Sequence, residues 1–201
     1  MTSETAEFHR LTNELAICHR YDAQVKADLY STAIATRAGS FLIDPIASTA
    51  QALDLLDGAE PAVGIIVTNE NHARASDQLA QQLRLPIYAD PAAKIVGALP
   101  TAEIAPASGL TIIPVAGAPA GEVALHDARS GGTLIIGDAL INFGSHGFDL
   151  LPAKYCANAK LMRRSLRALL DYEFERMLFA HGTPICANAR SRLIALLEDG
   201  P

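Results

Sequence analysis

Hydrophobic and polar positions alternate along the first third of the chain in the way that strands require. The pattern predicts an N-terminal strand over 14–22 and a hairpin over 31–46, with its turn at Gly39. The continuous apolar run 63–67 predicts a buried strand, since both of its faces must be covered. This part of the chain therefore supplies strands for a sheet.

Helical spacing separates these strands from the next ones. Ser48 is expected to cap a helix that runs through Leu56. Apolar side chains at a four-residue spacing predict a second helix over 72–84, which ends before Pro86 and leads into a short strand over 86–90.

The second half of the chain contains three strand-like runs separated by glycine-rich turns, and then a helix, a strand and a closing helix. In chain order, these segments are 110–115, 122–128, 132–141, 162–170, 176–181 and 193–197. The two element types are interleaved without the strict alternation of a doubly wound sheet, which predicts an α+β fold. A length of 201 residues, half of them hydrophobic, predicts one domain over residues 1–201.

Charge and composition exclude several classes of function. The 16 Lys and Arg residues face 22 Asp and Glu residues without a basic cluster, so we expect no nucleic-acid partner. The apolar stretch 97–121 contains four prolines and four glycines, so we expect no membrane span. Three widely spaced cysteines argue against a disulfide framework and predict a cytoplasmic protein.

The stretch 67–76, VTNENHARAS, has the outline of a metal site, because polar residues alternate directly after a buried strand. Among these polar positions, His72 alone would be a good metal ligand. The sequence thus combines the spacing of a ligand loop with few ligands.

Four segments in order resemble the metallo-β-lactamase-fold hydrolases: FLIDPI at 41–46, VTNENHAR at 67–74, PVAGAPAGEVALHD running into LIIGDAL within 114–140, and FAHGTPI at 179–185. The resemblance spans residues 12–200. It implies a four-layer αββα sandwich, in which two mixed sheets lie face to face, helices lie outside, and the active-site loops gather along one edge.

The same resemblance identifies metal-ligand positions that have changed. The family's loop is His-x-His-x-Asp-His, and the matching positions here are Asn69, Asn71, Ala73 and Arg74. A third histidine of the first metal site matches Ala118. An amide oxygen is a weak zinc donor, alanine is none, and arginine adds a fixed positive charge.

Two ligand positions are retained. Asp138 matches the carboxylate that bridges both metals, and His181 matches a ligand of the second metal. Two of seven ligands cannot hold a metal pair, so we expect no metal cofactor, with zinc only if the site is reorganised.

Metal ligands are lost and a cationic side chain is gained in the same segment, which suggests that this side chain replaces a metal ion. Our hypothesis is that the Arg74 guanidinium occupies the second metal position and bonds to Asp138, with His181 nearby, because a planar cation suits carboxylates. Asp44 matches a position that supports the strand turn near the site, and we interpret it as structural.

Several polar residues have both a functional and an ordinary interpretation. Asn71 either lines the cleft or caps the helix that follows it, and Asn69 either lines the cleft or shapes the loop. His72 points either into the cleft or to solvent, and His146 lies in a loop that could border the cleft.

Three functions remain open, and the sequence leaves it uncertain whether the protein is an enzyme. The first is a metal-free member of the fold that binds a small molecule or serves as an interaction protein. The second is a hydrolase in which His72, Asp138 and His181 hold one ion or act directly as acids and bases. The third is a structural protein with an occluded cleft. The sequence specifies neither substrate nor oligomeric state.

Overall fold

The computed structural model describes residues 5–58, 61–143 and 147–198. The strands are β1 (Glu7–Arg10), β2 (Leu15–Asp22), β3 (Ala27–Thr36), β4 (Gly39–Ile43), β5 (Ala62–Val67), β6 (Ile87–Ala89), β7 (Leu99–Pro100), β8 (Thr111–Pro114), β9 (Val123–Asp127), β10 (Thr133–Ile136), β11 (Leu140–Phe143), β12 (Gly147–Leu150) and β13 (Arg176–Phe179). The α-helices are α1 (Ser76–Leu83), α2 (Ala105–Ser108), α3 (Ala159–Ala168) and α4 (Ala189–Glu198).

Two mixed sheets form the centre of the fold. The first has seven strands in sequence order, antiparallel from β1 to β4 and parallel from β4 to β7. The second has the order β13-β10-β9-β8, in which only β10 and β13 are parallel. Strands β11 and β12 form a separate hairpin.

Successive apolar side chains of β2 point to opposite faces, so this sheet must be covered on both faces. Leu15 and Ile17 pack against residues of the second sheet, such as Leu125, whereas Ala16 and Cys18 pack on the opposite face. Burial on both sides requires two further layers beside the sheet pair.

Those outer layers contain helices. On the first sheet, the 3-10 helix Thr49–Leu55 and helix α1 contribute to the outer apolar cluster. On the second sheet, helices α3 and α4 pack over strands β10 and β13. The predicted α+β class and αββα layering are therefore confirmed.

Three details of the predicted elements are wrong. Ser48 makes no side-chain capping bond, and the segment after it is a 3-10 helix in which the Thr49 hydroxyl accepts the amide of Ile46 instead. Helix α1 begins at Ser76 rather than at His72. The run 132–141 is two strands, because the chain turns between β10 and β11 and presents Asp138 there.

In the part of the chain that the structure describes, no helix is both long enough and apolar enough to cross a membrane.

Candidate functional site

Four polar segments meet at one edge of the sandwich. Asp44 follows β4, Thr68 follows β5, Asp138 follows β10 and His181 follows β13. Each sheet contributes a parallel pair, β4 with β5 and β10 with β13, so the carboxyl ends within each pair point the same way. Residues directly after such ends converge, as they do in many α/β binding sites.

A buried hydrogen-bond network joins the first two segments. Asp44 accepts the Thr68 amide at 2.8 Å through one oxygen and the Thr68 hydroxyl at 2.6 Å through the other. The Nδ1 atom of His72 lies 3.0 Å from Oδ2 of Asp44. Asp44 is therefore a charge partner of His72 as well as a support for the turn, a role that the sequence analysis missed.

The same imidazole reaches the second sheet. His72 Nε2 lies 3.2 Å from Oδ1 of Asp138, while the side-chain amides of Asn69 and Asn71 each donate to Oδ2 at 3.1 Å. His72 therefore points into the site rather than to solvent. Asn71 does not cap helix α1, whose N-cap is Ala75.

The expected bond between Arg74 and Asp138 is wrong. The Arg74 guanidinium donates to the backbone carbonyls of Tyr30 at 2.6 Å, Asp44 at 3.0 Å and Ala180 at 3.2 Å. It lies 3.5 Å from Nε2 of His181. His72 and the two asparagines take the place at Asp138 that the hypothesis gave to the arginine.

Arg74 also has an unusual backbone, with φ at 38°. This left-handed conformation is unfavourable for a residue with a side chain. The hydrogen bonds of the guanidinium to three carbonyls offset the cost of this backbone conformation.

Charge pairing shifts the pKa values of the whole network. Burial alone would lower the pKa of His72, but Asp44 and the hydrogen bond to Asp138 outweigh burial and raise it to about 9. Burial likewise opposes ionisation of Asp44 and Asp138, yet His72 holds the pKa of both carboxyls below the ordinary value. Burial and the charges of His72 and Arg74 lower the pKa of His181 to about 4.

Glu122 is a further member of the site that the sequence analysis missed. Its carboxylate accepts the side-chain amide of Asn69 at 2.5 Å and the backbone amides of Ala139 at 3.1 Å and Asp138 at 3.3 Å. Burial and the nearby Asp138 charge raise the pKa of Glu122 to about 7. An acidic residue at the start of an apolar strand was the available signal, because Glu is rarely buried without partners.

A cavity of about 820 Å³ opens beside this network. Asn71, Asp138 and His181 line it together with apolar side chains from β11 and the segment after β12. A volume of this order suits a small molecule. His146, which was expected to border the cleft, lies outside the described residues.

His72, Asp138 and His181 are also suitable in type and spacing to hold one metal ion. Their ligand atoms all lie within 4.8 Å of one another. Oδ1 of Asp138 is 3.2 Å from His72 Nε2 and 3.4 Å from His181 Nε2, close to the separation of roughly 3.3 Å between ligands of tetrahedral zinc. The expectation of no metal is thus unsupported for a single ion.

The surroundings of these three donors both favour and oppose a metal. The contact of His72 Nδ1 with Asp44 is the arrangement that usually orients a metal-binding imidazole. His181 Nδ1 is buried and has no hydrogen-bond partner among the described residues, which therefore give this second imidazole no such support. The fixed charge of Arg74, beside His181, repels a cation.

Comparison with solved structures agrees with this architecture. A metallo-beta-lactamase from Pontibacter korlensis superposes with a TM-score of 0.69 at 15% identity, covering 98% of this chain and 100% of that one. One from Erythrobacter litoralis gives 0.71 at 14%, with 100% and 99% covered. One from Hirschia baltica gives 0.69 at 15%, with 96% and 98% covered. Identities this low show the fold alone.

Comparison of sequences gives the family. No protein with a curated functional description matches the chain. The sequence profile of the metallo-beta-lactamase superfamily matches residues 9–199, nearly the whole length. The chain therefore belongs to the metallo-beta-lactamase superfamily.

Proposed function

We propose that the chain binds a small molecule in the cleft beside Asp138 and His181 and does not hydrolyse substrates with a pair of zinc ions. One observation carries this proposal: the buried carboxylates at the cleft are already paired with the protein's own cation, because one imidazole contacts both Asp44 and Asp138. These contacts support a site in which the His72 imidazolium beside Asp138 and the Arg74 guanidinium beside His181 supply the positive charge.

The residues at the family's ligand positions support the same conclusion. Asn69 and Asn71 direct their amide nitrogens at Asp138, so they act as hydrogen-bond donors to the carboxylate that would bridge two metals. Arg74 is fixed by three carbonyls beside His181 and adds positive charge there. Donors and a cation around a carboxylate stabilise it as an anion without a metal.

The lining of the cavity indicates the chemistry of its ligand. Phe143 and Tyr155 contribute to apolar walls, and Glu70, Asp138 and Asp149 are acidic. The described lining residues include neither Lys nor Arg. The imidazolium and the guanidinium of the site together offset the charges of Asp44 and Asp138, which leaves the two exposed carboxylates of Glu70 and Asp149. This combination favours a cation with an apolar body.

Three compounds with one apolar body and different charge test this specificity. We would titrate metal-free protein with 4-phenylbutylamine, 4-phenylbutanol and 4-phenylbutyrate by calorimetry. We expect the amine to bind at least about tenfold more tightly than the carboxylate, a difference of about 1.4 kcal/mol. Glu70→Gln and Asp149→Asn should reduce this preference, whereas Glu103→Gln, an exposed acid outside the cleft, should preserve it. Equal affinities, or no binding of any probe, would refute the ligand class.

Turnover assays test the absence of two-zinc chemistry. The similar solved structures are described as metallo-beta-lactamases, so nitrocefin is the first substrate to try. Phosphodiester, thioester and lactone substrates extend the assay, each with and without added zinc. We expect rates that equal those of the Asp138→Asn variant. A rate that saturates with two zinc ions per chain and disappears in Asp138→Asn would overturn the proposal.

The spacing of His72, Asp138 and His181 favours a second candidate, a hydrolase with one metal ion. A zinc ion on these three donors would supply an acidified water. His72 must first lose its proton, and with a pKa of about 9 that costs about 2.7 kcal/mol at pH 7. Stoichiometric zinc that His181→Gln abolishes, together with zinc-dependent turnover, would establish this candidate.

A further inference from the structure

A second cluster of metal-ligating side chains lies on the edge strand of the first sheet. Strand β1 pairs with β2 so that Glu7 stands directly opposite His19, and His9 follows two residues after Glu7 on the same face. Side chains at alternate positions of a strand point to one face, so all three lie together. None of them belongs to the site described above.

The three side chains converge on one point. Oε2 of Glu7 lies 3.8 Å from Nε2 of His9 and 3.6 Å from Nε2 of His19. All three ligand atoms lie within 4.8 Å of one another. A small contraction toward an ion would bring them to the spacing of roughly 3.3 Å found between tetrahedral ligands.

Ring stacking holds the two imidazoles in this orientation. His9 and His19 stack with centroids 5.4 Å apart and planes 9° apart, and His19 stacks in turn on Tyr30 at 4.7 Å and 16°. The His19 side chain is 18% exposed, whereas that of His9 is 51% exposed. One ligand is therefore fixed by packing, and the open side of the cluster is accessible to an ion from solvent.

We propose that Glu7, His9 and His19 bind one divalent transition-metal ion. Two imidazoles and one carboxylate suit zinc, copper or nickel better than calcium or magnesium, which prefer oxygen ligands. Three protein ligands leave a coordination position for water.

Metal binding here would stabilise the pairing of β1 with β2 at the edge of the sheet. Strand β1 has four residues and pairs only with β2 among the described strands. An ion held by both strands adds a cross-link that the unfolded chain lacks, so zinc should raise the melting temperature. It would also contribute to any total metal analysis, so metal content at His72, Asp138 and His181 is best measured with His9→Ala.

Zinc titration of tag-free protein tests the proposal. We expect calorimetry to show zinc binding that weakens at least about tenfold in His9→Ala and in Glu7→Gln. Removing a metal ligand should reduce the affinity at least as much as removing a residue that only orients a ligand. The matched control is His181→Gln, which removes an imidazole from the other cluster and should leave this binding intact. Imidazole nitrogen NMR should show His9 and His19 shifting together.

Each alternative result has a distinct meaning. Identical zinc affinity in the parent and His9→Ala would overturn the proposal, as would an absence of zinc binding at millimolar concentration. Both substitutions are at exposed positions, so loss of binding with unchanged circular dichroism cannot be attributed to unfolding.

Discussion

His72 Nε2 lies 3.2 Å from Oδ1 of Asp138, and this contact joins the two sheets of the sandwich at their shared edge. His72 is 1% exposed and Asp138 is 7% exposed. The other ring nitrogen contacts Asp44, so one imidazolium serves two buried carboxylates. The network is therefore more sensitive to the loss of His72 than to the loss of any single acid.

Replacing His72 with glutamine is expected to lower the free energy of unfolding by about 3–5 kcal/mol, because Asp44 and Asp138 lose their shared cation. Urea denaturation of metal-free protein at pH 7 measures this loss. The matched control is His126→Gln, which removes a buried histidine that bonds to one backbone carbonyl. It should cost about 1 kcal/mol. Equal losses in both variants would show that the charge on His72 is unimportant.

Stability of the metal-free protein should fall between pH 7 and pH 9. The pKa of His72 is about 9 in the folded state and 6.5 as the ordinary value, so the folded state holds more protons in this interval. Stability from a raised histidine pKa is complete below 6.5 and is lost as pH rises through 9. The expected loss from pH 7 to pH 9 is about 2 kcal/mol.

The interval from pH 7 to pH 9 separates the contribution of His72 to stability from those of Glu122 and His181, which fall at lower pH. Glu122 contributes a fall between its ordinary value of 4.5 and about 7, and His181 contributes a rise between about 4 and 6.5. Urea denaturation at several pH values gives the slope, and imidazole NMR follows the His72 proton directly. A flat profile from pH 7 to 9, with His72 titrating near 6.5, would contradict the assignment.

Sequence patterns were sufficient for most strands and helices because they report burial, whereas the four-layer arrangement was expected from the family resemblance. The segment 14–22 was predicted as a strand and the apolar run 63–67 as a strand covered on both faces, and the structure confirms both as β2 and β5. The resemblance also directed attention to Asp138 and His181, which the structure brings together with His72.

Side-chain pairing inside the site could not be predicted in the same way. Arg74 and His72 are two residues apart and both could reach Asp138, so the sequence allowed either partner. The backbone decides between them, because Arg74 adopts a positive φ and its guanidinium meets the carbonyls of Tyr30, Asp44 and Ala180. Glu122 precedes β9 and is distant in sequence from Asn69, and only the sheet arrangement brings the two side chains together.

Two substitutions at Arg74 separate the contribution of its side chain to stability from the cost of its backbone conformation. Arg74→Ala should lower the free energy of unfolding by about 2–4 kcal/mol, because three carbonyls lose a charged donor. Arg74→Gly should be more stable than Arg74→Ala by about 1 kcal/mol, because glycine adopts φ near 38° without strain. Urea denaturation of both variants gives the comparison. An alanine variant as stable as the parent would mean that the carbonyl contacts contribute nothing.

Glu122 is expected to position Asp138 rather than to contact ligand, since it accepts the amides of Asp138 and Ala139 and is absent from the cavity lining. Glu122→Ala should lower the free energy of unfolding by about 2–4 kcal/mol, because buried donors lose their acceptor. It should also weaken 4-phenylbutylamine binding, since Asp138 is no longer held in the cleft. Glu103→Ala, at an exposed acid, should change stability by less than about 0.5 kcal/mol. Loss of stability with unchanged ligand affinity would show that Glu122 supports the fold alone.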